Sequence, residues 1–176
     1  MKGSSKNRVS AAPRNLTQDL LQVGMELEDE HSGLVVEMMR RNPELGMFIT
    51  PDFSAQQAAV VLDGLGRGLD VTRYADADYD WLQMKTIMEW LEKGLDITPW
   101  VDSSIDAKVM QQVGLALKNG ISDKKISMIA DPRWNGLQAQ EIRLGIQNGV
   151  DVGKYANPRY NHHQMRRIRE YLENES

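Results

Sequence analysis

The sequence predicts an all-α chain: an α-solenoid of short helix-plus-one-turn repeats behind an N-terminal helical cap. Three observations predict it. A cassette of 26 residues recurs, a glycine closes each of its first four copies, and apolar residues inside each copy keep helical spacing. Phe53-Ser54-Ala55-Gln56-Gln57 matches Tyr79-Asp80-Trp81-Leu82-Gln83, and Gly68-Leu69-Asp70-Val71 matches Gly94-Leu95-Asp96-Ile97. The series runs on through Ile105-Asp106, Trp134-Asn135 and Tyr160-Asn161, with a link three residues longer at Ser122 to Ser127. Five units fill residues 51–176, and Met47-Phe48-Ile49, 26 residues before Arg73-Tyr74-Ala75, marks a worn sixth.

Each element has a local reason. Ser54, Asp80, Asp106, Asn135 and Asn161 carry the short oxygen that satisfies a free N–H at a helix start. Gln57, Gln83, Gln138 and Gln164 follow three residues later, which makes four capping boxes. The residue before each cap (Phe53, Tyr79, Ile105, Trp134, Tyr160) and the fourth helical residue (Ala58, Met84, Met110, Ala139, Met165) have hydrophobic-staple spacing. Apolar residues at helix positions 4, 7 and 11, such as Met84, Ile87 and Leu91, form one stripe. Gly68, Gly94, Gly120 and Gly149 stop the helices in the left-handed region, each followed by an apolar residue. Asp70, Asp96 and Asp151 then cap a one-turn segment. Gly64, Ala116 and Gly145 share one helix slot and are read as points of close helix approach, widened where that slot holds Trp90 or Tyr171. The third unit has Ser122-Asp123 in place of Asp-Val, a departure from the pattern that leaves open whether this unit stacks regularly.

The N-terminal part differs. Residues 1–15 hold Lys2, Lys6, Arg8 and Arg14 without an acid and read as a flexible basic arm. Residues 16–50 read as a cap with helices over 16–27 and 34–41, the second stopped by Asn42-Pro43. A stacked array needs such a cap to cover its apolar end.

Ala156-Asn157-Pro158-Arg159-Tyr160 through Leu172, Ile142 to Ile146, and Gly149-Val150-Asp151-Val152 together resemble short helical repeats of phage and mobile-element proteins of gut Firmicutes. The resemblance spans residues 51–176 and marks an architecture. It implies no activity and supplies no catalytic residue.

Composition excludes several functions. With no cysteine, disulfide scaffolds and cysteine-ligated metal sites are ruled out. No apolar run approaches the roughly 18 residues that span a bilayer, so no membrane partner is expected and the cytoplasm is the default location. A net charge of −4 argues against non-specific nucleic-acid binding. Asp76-Ala77-Asp78-Tyr79-Asp80 opens like a calcium loop, but Trp81 and Ile87 stand where its glycine and closing glutamate belong. Gly64-Leu65-Gly66-Arg67-Gly68 lies at a helix C-terminus, the wrong end for a phosphate. Adjacent His162 and His163 diverge on a helix and cannot chelate as an i, i+4 pair does. No catalytic, cofactor or metal residue emerges, and a non-enzyme is expected.

Charge points to binding instead. Residues 51–106 carry 11 acids against four bases, and Asp63, Asp76, Asp78 and Glu89 are the candidate acidic face. At the C-terminal end Arg133 shares a slot with Arg159 and Arg143 with Arg169, and Arg166 and Arg167 join them as a candidate basic ladder. Trp81 and Trp90 flank the stripe as candidate hot spots. The expected partner is a host protein, in the most concrete form a defence nuclease whose basic channel an anti-CRISPR-like inhibitor occupies. Nucleic acid bound by the arginines and the basic arm is the second expectation, and a groove enzyme the third.

Overall fold

The computed structural model describes residues 31–175 and is all-α there: seven α-helices, four 3-10 turns and no strand among the described residues. The expected basic arm and the first cap helix lie outside the described residues. No helix among the described residues is long and apolar enough to cross a membrane.

Helix α1 (His31–Arg41) ends where Pro43 opens a 3-10 turn (Pro43–Met47). Then come α2 (Ala55–Gly66), α3 (Trp81–Glu92), α4 (Ala107–Lys118), the short α5 (Asp123–Ile129), α6 (Gly136–Gln147) and α7 (His162–Asn174). The five cassette helices start 26 residues apart except at the α4-to-α6 step, where the starts are 29 residues apart. Each cassette helix packs on the next, and α1 packs on α2. The third unit, whose stacking the sequence left open, keeps its place in the series. Its longer link folds as α5, which touches both α4 and α6, while α4 still packs directly on α6.

The local chemistry matches the sequence. All five predicted caps accept backbone N–H bonds, and all four capping boxes are complete. The four closing glycines sit at φ 69° to 76°, where a side chain is disfavoured. Each is flanked by paired Schellman bonds, for example Leu95 N–H to Trp90 O at 2.9 Å and Gly94 N–H to Leu91 O at 2.8 Å. Asp70, Asp96 and Asp151 accept from the N–H two residues on, as expected.

Helix positions 4 and 7 form the apolar interior: Ala58, Met84, Met110, Ala139 and Met165 are fully buried, as are Val61, Ile87, Val113 and Ile142. Position 11 is only half-buried in Leu65, Leu91 and Leu117. A second buried face runs through positions 3, 6 and 10, and it is polar in part: Gln57, Gln83, Thr86, Gln138 and Glu141. The next helix covers this face, so polar side chains there are enclosed and bonded.

Position 10 corrects the reading of the small residues. A β-carbon on Gly64 would fall 1.8 Å from Tyr74 Oη, and one on Gly145 the same distance from Tyr155 Oη. The glycines thus admit the phenol of their own unit's 3-10 turn instead of a neighbouring helix. Tyr155 donates to Glu141 O at 2.9 Å, and burial pushes both phenols above the usual tyrosine range. Where position 10 is Trp90, the corresponding Trp100 stays half-exposed.

Candidate protein-binding surface

The units are joined by a recurring clasp. Gln57 gives its Oε1 to the N–H of Ser54, and its Nε2 reaches the next link, donating to the carbonyls of Ala77 (3.1 Å) and Tyr79 (2.5 Å). Gln83 does the same to Ser103 (2.9 Å) and Ile105 (2.8 Å), and Gln138 to Pro158 (3.3 Å) and Tyr160 (2.8 Å). The helix cap and the seam to the next unit therefore share one amide. In the third unit the clasp position is Val109, and the link that follows is the lengthened one. Gln164 keeps its capping box but is exposed, and its Nε2 donates to no link carbonyl among the described residues.

Each link opens with a side-chain-to-backbone turn. Asp76, Asp102, Asp131 and Asn157 accept from the N–H two residues on, at 2.8 to 3.0 Å. This turn-forming role of Asp76 was missed in the sequence, where the residue is weighed as the start of a calcium-like loop and as part of an acidic face. The link positions just after change sign along the chain: Asp52 and Asp78 in the early links, Arg133 and Arg159 in the late ones.

The candidate acidic residues do not form one patch. Asp76 and Asp78 stand exposed on a link and make no ion pair among the described residues. Asp63 instead bridges to Arg67 at 2.8 Å, which also reaches Glu92 of α3 at 2.6 Å. These bonds raise the Arg67 pKa. Glu89 is half-buried with Gln111 Nε2 at 3.5 Å. Asp52 and Asp102, outside the original candidate set, are the exposed acids that continue the link edge.

The arginine ladder needs the larger correction. Arg143 and Arg169 do share helix position 8, but both turn back onto position 6 of the preceding helix. Arg143 Nε donates to Gln112 at 2.9 Å and Arg169 Nε to Glu141 at 3.0 Å. Arg166 joins the same Glu141 at 3.0 Å, and Arg169 also holds Glu173 at 2.7 Å. Burial lowers the Arg143 pKa, since amides alone bond it. For Arg169 burial opposes the charge, but bonds from Glu173 and Glu141 outweigh it and raise the pKa. Arg133 is exposed, pairs with Asp131 at 2.6 Å and lies over the Trp134 ring. Only Arg159 and Arg167 of the six are exposed without an ion pair among the described residues.

Trp90 is 3% exposed, and a β-carbon on Gly114 of α4 would fall 2.0 Å from its Cε2. It fills a seam and is closed to a partner. Its indole N–H has no acceptor among the described residues, while Lys93 Nζ sits 4.4 Å from the ring centroid. Trp81 is half-buried at the start of α3. No three His, Asp or Glu side chains gather as a metal site among the described residues.

No model of a known protein family, no curated protein and no solved structure matches the chain.

Proposed function

We propose that the repeats form an α-solenoid that binds another protein, without catalysis, through the acidic edge of its early links. The observation that carries this reading is the contrast between the two charge sets. Asp52, Asp76, Asp78 and Asp102 are exposed and pair with no cation among the described residues, whereas four of the six candidate arginines are bonded to neighbouring side chains. Free charge on rigid links suits a complementary basic surface, because no internal bond has to break on docking. The narrower form is a cytoplasmic inhibitor of a host defence nuclease, made by a phage or mobile element in the anti-CRISPR manner. Its support is the resemblance of the repeats and the fit of an acidic edge to a basic nucleic-acid channel. Nucleic-acid binding is the second reading, favoured by exposed Arg159 and Arg167.

The test neutralises the edge without unfolding it. Asp76→Asn keeps the turn acceptor and removes the charge, and Asp78→Lys reverses the next one. The double variant and the wild type are used as bait in host lysate and the captured proteins are identified by mass spectrometry. A protein held by the wild type and lost from the variant supports the reading. Equal capture by both refutes it, and capture of nucleic acid alone favours the second reading.

A further inference from the structure

We propose that the seam between α4 and α6 holds a carboxylate-binding site, which takes a glutamate side chain presented by another protein. The argument starts from how the other seams close. The residue at the C-cap of each cassette helix faces helix position 12 of the next. At the α2–α3 seam Arg67 donates to Glu92 at 2.6 Å, and at the α6–α7 seam Asn148 Nδ2 donates to Glu173 at 2.7 Å. At the α3–α4 seam the same two slots hold Lys93 and Lys118, and Lys93 lies over the Trp90 ring, which packs against Gly114 of α4.

At the α4–α6 seam the same two slots hold Asn119 and Gln147, and no bond joins them. A hollow of about 390 Å³ opens between them instead, lined also by Ile121, Ser122, Lys125 and Ile146. No carboxylate lines it. The side chains of Asn119, Ser122 and Lys125 take part in no hydrogen bond or ion pair among the described residues. Gln147 gives its Oε1 to Arg143 Nη1, so its NH2 remains the free half of the amide. The hollow therefore offers an amide, a hydroxyl, an ammonium and a second amide, all able to donate, in the slot where two other seams supply their own acid. Ile121 and Ile146 give an apolar wall for the methylenes of a glutamate. A guest carboxylate would complete the seam as Glu173 completes the next one, with charge-assisted bonds from Lys125.

The probes are three short acetylated peptides, Ac-Gly-Glu-Gly-NH2, its Gln counterpart, and Ac-Gly-Gly-Gly with a free C-terminal carboxylate. They are titrated into the 15N-labelled full chain and followed at the backbone amides of Gly120, Ile121 and Ser122. Saturable shifts with the Glu peptide at about millimolar affinity are expected, with none from the Gln peptide. Lys125→Ala should weaken binding roughly tenfold, the loss of one charge-assisted bond. Gln147→Glu supplies the missing acid from within. It should abolish Glu-peptide binding while leaving the melting temperature unchanged or higher, which separates occupation of the site from unfolding. Absence of saturable shifts, equal shifts from the Gln peptide, or undiminished binding to the Gln147→Glu variant each overturn the proposal. Tighter binding of the free C-terminal carboxylate than of the glutamate overturns the choice of side chain as guest.

Discussion

Arg169 Nε lies 3.0 Å from Glu141 Oε2, and the two side chains, one from each of the last two helices, are 9% and 1% exposed. The pair sits where the preceding seams hold Val60, Thr86 and Gln112 on the covered face. Removing one member of such a pair leaves the other buried and poorly matched, which is costly even where the intact pair contributes little. Glu141→Ala is therefore expected to lower stability by about 3 kcal/mol in urea denaturation. The remaining Glu173 bond keeps Arg169 from being wholly orphaned. A loss within experimental error would show that α7 is held by its apolar side chains alone.

The glutamine clasp predicts unequal costs for one substitution at equivalent positions. Gln83→Ala removes two donated bonds to carbonyls, one buried and one part-buried, as well as the capping-box bond, an expected cost of about 2–3 kcal/mol. Gln164→Ala removes only the capping-box bond, and should cost no more than about 1 kcal/mol. Chemical denaturation of the two variants compares them directly; equal losses would assign the effect to capping alone.

Gly145→Ala ought to stabilise an ordinary helix by up to about 1 kcal/mol. Here the new methyl meets Tyr155 Oη at 1.8 Å, and overpacking of that kind costs about 2 kcal/mol or more, so a net loss is expected. Tyr155→Phe alone gives up its bond to Glu141 O, but in the Gly145→Ala background it removes the severest overlap, leaving ring Cζ at 3.0 Å and Val152 Cγ1 at 3.1 Å as tight contacts. The double variant should be markedly more stable than the sum of the single losses, as a thermal-melt double-mutant cycle would report.

Acid should loosen the links. Bonds from Arg133 lower the Asp131 pKa, and bonds from the Ser104 hydroxyl and N–H lower that of Asp102. A carboxyl whose pKa is depressed in the folded state favours folding above its unfolded value, near about 4, and that contribution fades as pH falls through the folded value. Asp131→Asn preserves the turn acceptor and removes the titration. Its stability should fall less steeply than the wild type's between about pH 5 and pH 2, in urea midpoints measured across that range.

Much of the backbone was legible from residue types. Ser54 or Asn161 before a helix, Gln three positions on and Gly68 or Gly149 after it are local signals, satisfied within a few residues of themselves. The face at positions 3, 6 and 10 was hidden because Gln138 and Glu141 look solvated in a hydropathy pattern. Their burial depends on a neighbouring helix 20 or more residues away. Arg143 and Arg169 misled for the same reason: a shared slot says that two side chains point alike, and gives no sign of whether they point outward or back into the previous helix. The glycines at 64 and 145 were read as points of close helix approach, and the group that fills their space is instead a tyrosine ten residues on.

The clasp also acts as a ruler. Its amide spans from a helix's first turn to carbonyls 20 and 22 residues downstream, so any unit that carries it has its length gauged from within. Val109 releases that gauge, and the one irregular spacing follows it. Added sequence is thus tolerated where a valine replaces the glutamine. The same exchange elsewhere would mark the natural place to splice in a new segment without disturbing the units on either side.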